Sequence, residues 1–484
     1  NSSGLVETVE LLGSEEVTCG NFECAVPTDS WSTGTGWSFE GGIASCDGTQ
    51  VGTTSLIQSS VFTSGIFYKI TFDLTVSTGA LSLWINGTQL VENSITSTES
   101  KSYYVEATAT GSIYFEGNVD FSGTINNVSV KESTKNNLAR VDYDGTASSL
   151  LVEPERTNLI PYSSDFSQNT TSGGTILSDN IISPNGTLTA DTFKEDTSTS
   201  QHSMRKDISV STGTYTMSCF VKGTDRFVSF YPQSAGTSFA IFDIENKSIT
   251  NTGGANYVNS IIEDYGNGWS RCSLTYNVST GTSFLHIYLS NSSSSPAPSY
   301  LGNESEMSFY GLQLEAGSYA TSYIPTDGGT VTRVQDQYSK TGISNLINSE
   351  EGTFFVEMAA LSELTDSRVI SINNGTSNYY IWLNYKNTSN TIRYVYGFLG
   401  TNYADLQTVV SDATLNTKIA MTWKLNEFKF FINGFKISED LSGAVMPSGT
   451  LNKLEFNRPN GTEKMNGKVK QLQVFKTALT DSEL

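Results

Sequence analysis

The stretch YKITFDL (68–74) sets Tyr68, Ile70, Phe72 and Leu74 against Lys69, Thr71 and Asp73. Successive side chains of a strand point to opposite faces, so this pattern buries one face and wets the other. The same phase recurs in GTYTMSCFVK (213–222), FLHIYL (284–289), YYIWLN (379–384) and EFKFFING (427–434), and no helical or heptad period is sustained anywhere. Gly and Asn interrupt the runs at short intervals, with Asn86-Gly87 and Asn433-Gly434 as hairpin signals. The sequence therefore reads as all-β, built from three serial jelly-roll or β-sandwich domains.

A chain of 484 residues exceeds what one hydrophobic core usually supports. The hydrophobic fraction of 37%, beside 42 Gly, 23 Tyr and 25 Phe, fits short strands and many turns. Boundaries fall at a lead (1–18) that could serve as an anchor, a first sandwich (19–134), a linker (135–157), a second sandwich (158–336) and a third (337–484). The first two show a weak internal repeat. GIFYKITFDLT (65–75) parallels GTYTMSCFVK (213–222), and INNVSVK (125–131) parallels MSFYGLQLE (307–315).

A net charge of −21 would repel a phosphate backbone or an anionic bilayer, so neither nucleic acid nor membrane is an expected partner. No apolar run is long enough to span a membrane. Of the five Cys, a disulfide could form within Cys19, Cys24 and Cys46, and Cys219 and Cys272 read as buried thiols.

Catalytic groups are scarce. The chain has two His, His202 and His286, and neither sits in a recognisable triad. The closest carboxylate pairs, Glu304 with Glu306 and Glu153 with Glu155, lie at module edges and read as solvated loop charge. No phosphate loop occurs. The expectation is a protein that is not an enzyme and needs no cofactor. A structural Ca2+ is compatible with the loop acids Asp47, Asp142, Asp144, Asp191 and Asp327, whose spacing selects no site. Binding needs only flat aromatic faces for sugar rings, with amides to reach hydroxyls. Trp382, Tyr385, Tyr394, Tyr396 and Trp84 are the candidate sugar-binding residues, and Trp37, Trp269 and Trp423 are expected in cores.

Two Pro-punctuated segments bracket the second sandwich, LLVEPERTNLIPYSSDF (150–166) and FYGLQLEAGSYATSYIPTDGGTVTRVQD (309–336). Pro fixes φ and extends its predecessor, so both segments read as edges and connections. Together with DYGNGW (264–269) they resemble modules of bacteriophage tail fibres, head fibres and virion decoration proteins. IAMTWKLNEFKFFINGFKI (419–437) followed by GKVKQLQVFKTALTDSEL (467–484) resembles a laminin-G-like, or concanavalin A-like, jelly roll. The resemblance implies carbohydrate-binding-module-like sandwiches on a virion surface or in an extracellular setting. It also implies contact with other virion proteins, attachment to host-surface polysaccharide or glycan, and a homo-oligomer, often a trimer. A secreted bacterial adhesin or lectin is the alternative, and a polysaccharide-degrading enzyme a remote one.

Overall fold

The computed structural model describes residues 11–484, apart from 90–94, 135–139, 145–146, 235, 279–280, 363–366 and 389. Two three-residue 3-10 turns, Pro27–Asp29 and Phe166–Gln168, are the helical elements among the described residues. None is long and apolar enough to cross a membrane. The rest is strand and loop, as the alternation requires.

The chain divides into two compact units. The first, Thr8–Leu138, is a sandwich of two antiparallel sheets. One sheet runs Trp37–Glu40, Ile43–Asp47, Ser122–Thr134, Phe67–Thr78, Glu99–Glu106, and the other Ser32–Thr33, Thr54–Phe62, Gly111–Gly117, Leu81–Ile85, Thr88–Gln89. Tyr68, Ile70, Phe72 and Leu74 point into the shared core with Trp31, Trp37 and Phe115. Cys19 and Cys24 form a disulfide, while Cys46 is a buried free thiol. The Cys19 carbonyl accepts the Trp31 indole N–H at 3.1 Å, which ties this loop to the core. Gly79, at φ +71°, must be glycine, since a Cβ would stand 2.5 Å from the backbone of Asp120 and Phe121.

The second unit spans Ala139–Leu484 and contains two sandwiches. In the middle one, the first sheet runs Gly174–Ile182, Leu188–Glu195, Glu306–Ala316, Gly213–Lys222, Trp269–Val278, Tyr257–Asp264. The opposing sheet runs Thr170–Ser172, His202–Val210, Gly281–Ser290, Phe227–Ser234, Phe239–Asp243, Ser248–Gly253. This order repeats that of the first unit: in both, the strands that carry the two repeated segments pair with each other, Phe67–Thr78 with Ser122–Thr134 and Gly213–Lys222 with Glu306–Ala316. The internal repeat is thus one of topology. Cys219 and Cys272 stand opposite each other on neighbouring strands as buried free thiols. The DYGNGW turn needs its composition, because Gly266, Asn267 and Gly268 all have φ between +50° and +80°.

The third sandwich has a different strand order. Its six-stranded sheet runs Ser339–Thr341, Lys453–Glu455, Arg368–Asn373, Tyr379–Tyr385, Thr391–Phe398, Thr401–Val409. Its seven-stranded sheet runs Arg140–Asp144, Ala147–Val152, Gly467–Phe475, Gly352–Ala359, Thr417–Lys424, Glu427–Ile432, Phe435–Asp440. The first two of those strands lie in the segment read from the sequence as a linker. They are a hairpin that extends the last sandwich, with Leu150 opposite Val469 and Val152 opposite Gly467, and Val152 is fully buried in that core. The middle sandwich is therefore an insertion after the second strand of the third.

The bracketing segments close this insertion with a desolvated charge cluster. Glu153, 3% exposed, holds the guanidinium groups of Arg140 and Arg333, each at 3.2 Å. Its second oxygen accepts the Ser322 N–H at 2.8 Å, and its own N–H donates to Asp336 Oδ2 at 2.8 Å. Asp336 also pairs with Arg140. Burial pulls the Arg333 guanidinium down from its ordinary value. Beside this cluster the fully buried Glu315 accepts from Gln313 Nε2 and from the Thr321 N–H, with Arg156 Nε 3.8 Å away.

Candidate functional site

The strands Tyr379–Tyr385 and Thr391–Phe398 carry four of the five candidate aromatics, and their phase separates them. Ile381, Leu383 and Tyr385 point inward with Ile392, Tyr394 and Tyr396. Tyr385, Tyr394 and Tyr396 are fully buried, which removes them as sugar-binding residues. Each hydroxyl is used internally, donating to the carbonyls of Met358 (3.3 Å), Thr422 (2.9 Å) and Ser349 (3.1 Å) respectively. Trp382 is one residue out of phase and lies on the outer face, packed with Val369, Val395 and Tyr380. Trp84 lies in the first unit, half-buried, opposite Tyr114 and Gln89 on neighbouring strands.

Around Trp382 the outer face forms a polar cleft of about 280 Å³. Tyr380, Trp382 and Asn384 supply its floor at alternate positions of one strand, and Arg393 projects from the next. Lys386 and Asn387 follow from the turn, and Arg458 and Glu463 come from a loop on the other side. That loop is held in shape: the Arg458 N–H donates to the Thr462 carbonyl at 2.9 Å, Gly461 N–H to the Arg458 carbonyl at 2.8 Å, and Val369 N–H to the Glu463 carbonyl at 3.0 Å.

The Arg458 guanidinium sits 4.0 Å from the centroid of the Trp382 ring and donates to Glu463 Oε1 at 2.5 Å. Trp382 is therefore 6% exposed, and one of its faces is already taken by a cation. Arg393 makes a fork to Asp405, and this hydrogen bonding raises its pKa further. Tyr380 Oη donates to Asn402 Oδ1 at 2.8 Å, and Lys386 Nζ to Gln407 Oε1 at 3.0 Å. Two polar atoms of the floor, Trp382 Nε1 and Asn384 Oδ1, are buried without a hydrogen-bond partner. Leaving such atoms unpaired costs about 1–3 kcal/mol each.

Sequence reasoning found Trp382 and missed Tyr380, Asn384, Arg393 and Lys386. For the first three the signal was present, since they share the phase opposite to Ile381, Leu383 and Tyr394. Arg458 and Glu463 carry no local signal, because an irregular loop brings them in.

The other expected sites resolve differently. Asp47 accepts from Thr49 in its own turn, Asp142 pairs with Lys468, and Asp191 accepts the Phe166 and Asp179 N–H groups, while the backbone of Asp327 forms an isolated antiparallel bridge with that of Tyr162. The side chain of Asp144 lies outside the described residues, as do the first ten residues of the N-terminal lead. Among the described residues no three His, Cys, Asp or Glu converge as a metal site. Glu304 and Glu306 both face Lys194, and Glu153 belongs to the buried cluster. His202 is fully buried, its two nitrogens against the carbonyls of Gly173 and Tyr300.

His286 stacks on Tyr288 at 5.2 Å, with interplanar angle 10°, on the outer face of the middle sandwich. Burial first, and then the Arg205 charge, hold its pKa below the usual 6.5. A depressed folded pKa means that the unfolded chain binds the proton first, so the contribution is present above 6.5 and lost as pH falls. We expect His286→Phe to flatten the fall in melting temperature between about pH 7.5 and about pH 5. An unchanged slope would show that His286 is not an acid-sensitive group.

Neither a family model nor a curated protein sequence matches the chain. Among solved structures it is similar to the NanB sialidase from Streptococcus pneumoniae at 15% identity and TM-score 0.26, over 30% of this chain and 25% of that one. It thus spans a minor part of that sialidase. It is similar to the Ruminococcus gnavus IT-sialidase CBM40 bound to α2,6 sialyllactose at 18% identity and TM-score 0.26, over 30% of this chain and 96% of the module. It is also similar to mouse laminin α1 domains LG4-5 at 8% identity and TM-score 0.22, over 57% and 85% of the two chains. No residue of the cleft is identified through these likenesses. The fold itself is all-β, made of jelly-roll-like sandwiches.

Proposed function

We propose that this chain is a non-catalytic glycan-binding protein and that the cleft around Trp382 is its ligand site. The observation that carries the reading is the pair of unpartnered buried atoms, Trp382 Nε1 and Asn384 Oδ1, in residues that line a polar cleft of about 280 Å³. One is a donor and the other an acceptor, which suits a ligand dense in oxygens and hydroxyls. Recognition here rests on hydrogen bonds and charge, because Arg458 occupies the indole face that a sugar ring would otherwise stack on.

The resemblance of the bracketing segments to phage fibre and decoration modules supports a virion surface as the setting of this activity. The chain would be part of a fibre or head decoration, as a homo-oligomer such as a trimer beside other virion proteins, attaching to host-surface polysaccharide. The Cys19–Cys24 disulfide suits an extracellular setting. A secreted adhesin or lectin would use the cleft in the same way.

Binding of the intact chain to an array of bacterial and algal surface polysaccharides tests the reading. Retention of one class, weakened at least about tenfold by Asn384→Ala at unchanged melting temperature, is the expected result. Absence of binding to every polysaccharide, or binding indifferent to Asn384→Ala, would overturn it. New reducing ends or unsaturated products would overturn its non-catalytic part.

A further inference from the structure

The charge of the cleft runs against the charge of the molecule. In a chain of net charge −21, the cleft lining contains three cations, Lys386, Arg393 and Arg458, and one carboxylate, Glu463. The two guanidinium groups are answered by Asp405 and Glu463, and both pairs are partly exposed. Lys386 is different: its Nζ is held by a neutral amide oxygen, Gln407 Oε1, at 3.0 Å. Its positive charge stands at the cleft without a carboxylate in contact.

The polar atoms of the floor sort in the same direction. The Trp382 indole N–H can only donate, so its missing partner is an acceptor, and Asn384 Oδ1 can only accept, so its missing partner is an N–H or O–H. Both side chains are more than nine-tenths buried and line the cleft. A donor, an acceptor and a cation lining one cleft fit a ligand that carries both an anionic oxygen and hydroxyls. Neutral sugars satisfy the floor but leave Lys386 unanswered.

Resting on the reading of the cleft as a glycan site, we infer that its ligand is an acidic saccharide, one whose carboxylate or sulfate lies against Lys386 while its hydroxyls meet the floor at Trp382 and Asn384. Because the cleft is read as a saccharide site, the anion is one that sugars carry, and sugar acids and sugar sulfates are the class it would take. A charge-assisted contact also makes binding salt-sensitive.

Calorimetric titration of the intact chain with three sets of oligosaccharides tests this: uronic acid oligomers from alginate, sulfated oligomers from carrageenan, and neutral oligomers from laminarin. The expected result is binding of an acidic set over the neutral one, weakened by added salt and weakened about tenfold by Lys386→Gln. The arm that binds tells carboxylate from sulfate. Lys386 is surface-placed, and an unchanged melting temperature of Lys386→Gln confirms that the fold is intact. Equal or better binding of laminarin oligomers, with no effect of Lys386→Gln, overturns the acidic assignment and leaves the glycan site standing. Failure of all three sets to bind overturns the assignment, and failure across the wider polysaccharide array as well removes the glycan site.

Discussion

Replacing Glu153 with Ala is expected to destabilise the Ala139–Leu484 unit by about 3–5 kcal/mol. The reason is that Glu153 answers two guanidinium groups at once, Arg140 and Arg333, in a place where Glu153 is 3% exposed. Removing the carboxylate leaves Asp336 to serve Arg140 alone and strands Arg333, whose remaining contacts are the carbonyls of Ser322 and Pro154. The Ser322 N–H loses its acceptor as well. Denaturant unfolding of wild type and Glu153→Ala, followed by fluorescence, measures the difference. A change below about 1 kcal/mol would place this cluster among ordinary surface ion pairs. Glu153→Gln keeps the shape and the bond to Ser322, and is expected to fall between the two.

The second large effect concerns where the third sandwich begins. A fragment 337–484, cut at the boundary that the sequence suggests, lacks the hairpin Arg140–Asp144 and Ala147–Val152. The strand Gly467–Phe475 would become a bare sheet edge over part of its length, and the core would lose Val152 and the packing of Leu150. Exposed edges with apolar neighbours pair with other chains. We expect this fragment to aggregate on expression, while a fragment starting at residue 139 and keeping the insertion yields a soluble, cooperatively unfolding protein. A monodisperse, folded 337–484 fragment would show that the hairpin is dispensable and the insertion incidental.

Alternation located the strands well: Glu427–Ile432, Tyr379–Tyr385 and Phe67–Thr78 all fall where the pattern puts them. Pairing across the chain was hidden, because the partner of Ala147–Val152 lies at the opposite end of the unit, and no local pattern announces it. The choice of face was hidden for another reason. On Tyr379–Tyr385 and Thr391–Phe398 both faces carry aromatic or aliphatic residues, so hydrophobicity alone does not say which one is the core. The loop bearing Arg458 covers Trp382, so this outer-face indole is nearly as buried as its inward-facing neighbours. The bracketing segments were readable as connections, yet their charge cluster depends on Arg140, Glu153, Arg333 and Asp336 meeting through the insertion.

Hydrogen–deuterium exchange of the intact chain, with and without a saturating oligosaccharide that it retains, decides whether the cleft around Trp382 receives a saccharide. Protection concentrated in residues 380–393 and in the loop 458–463 is the predicted result. Binding accompanied by protection elsewhere, with these two segments unchanged, would contradict it.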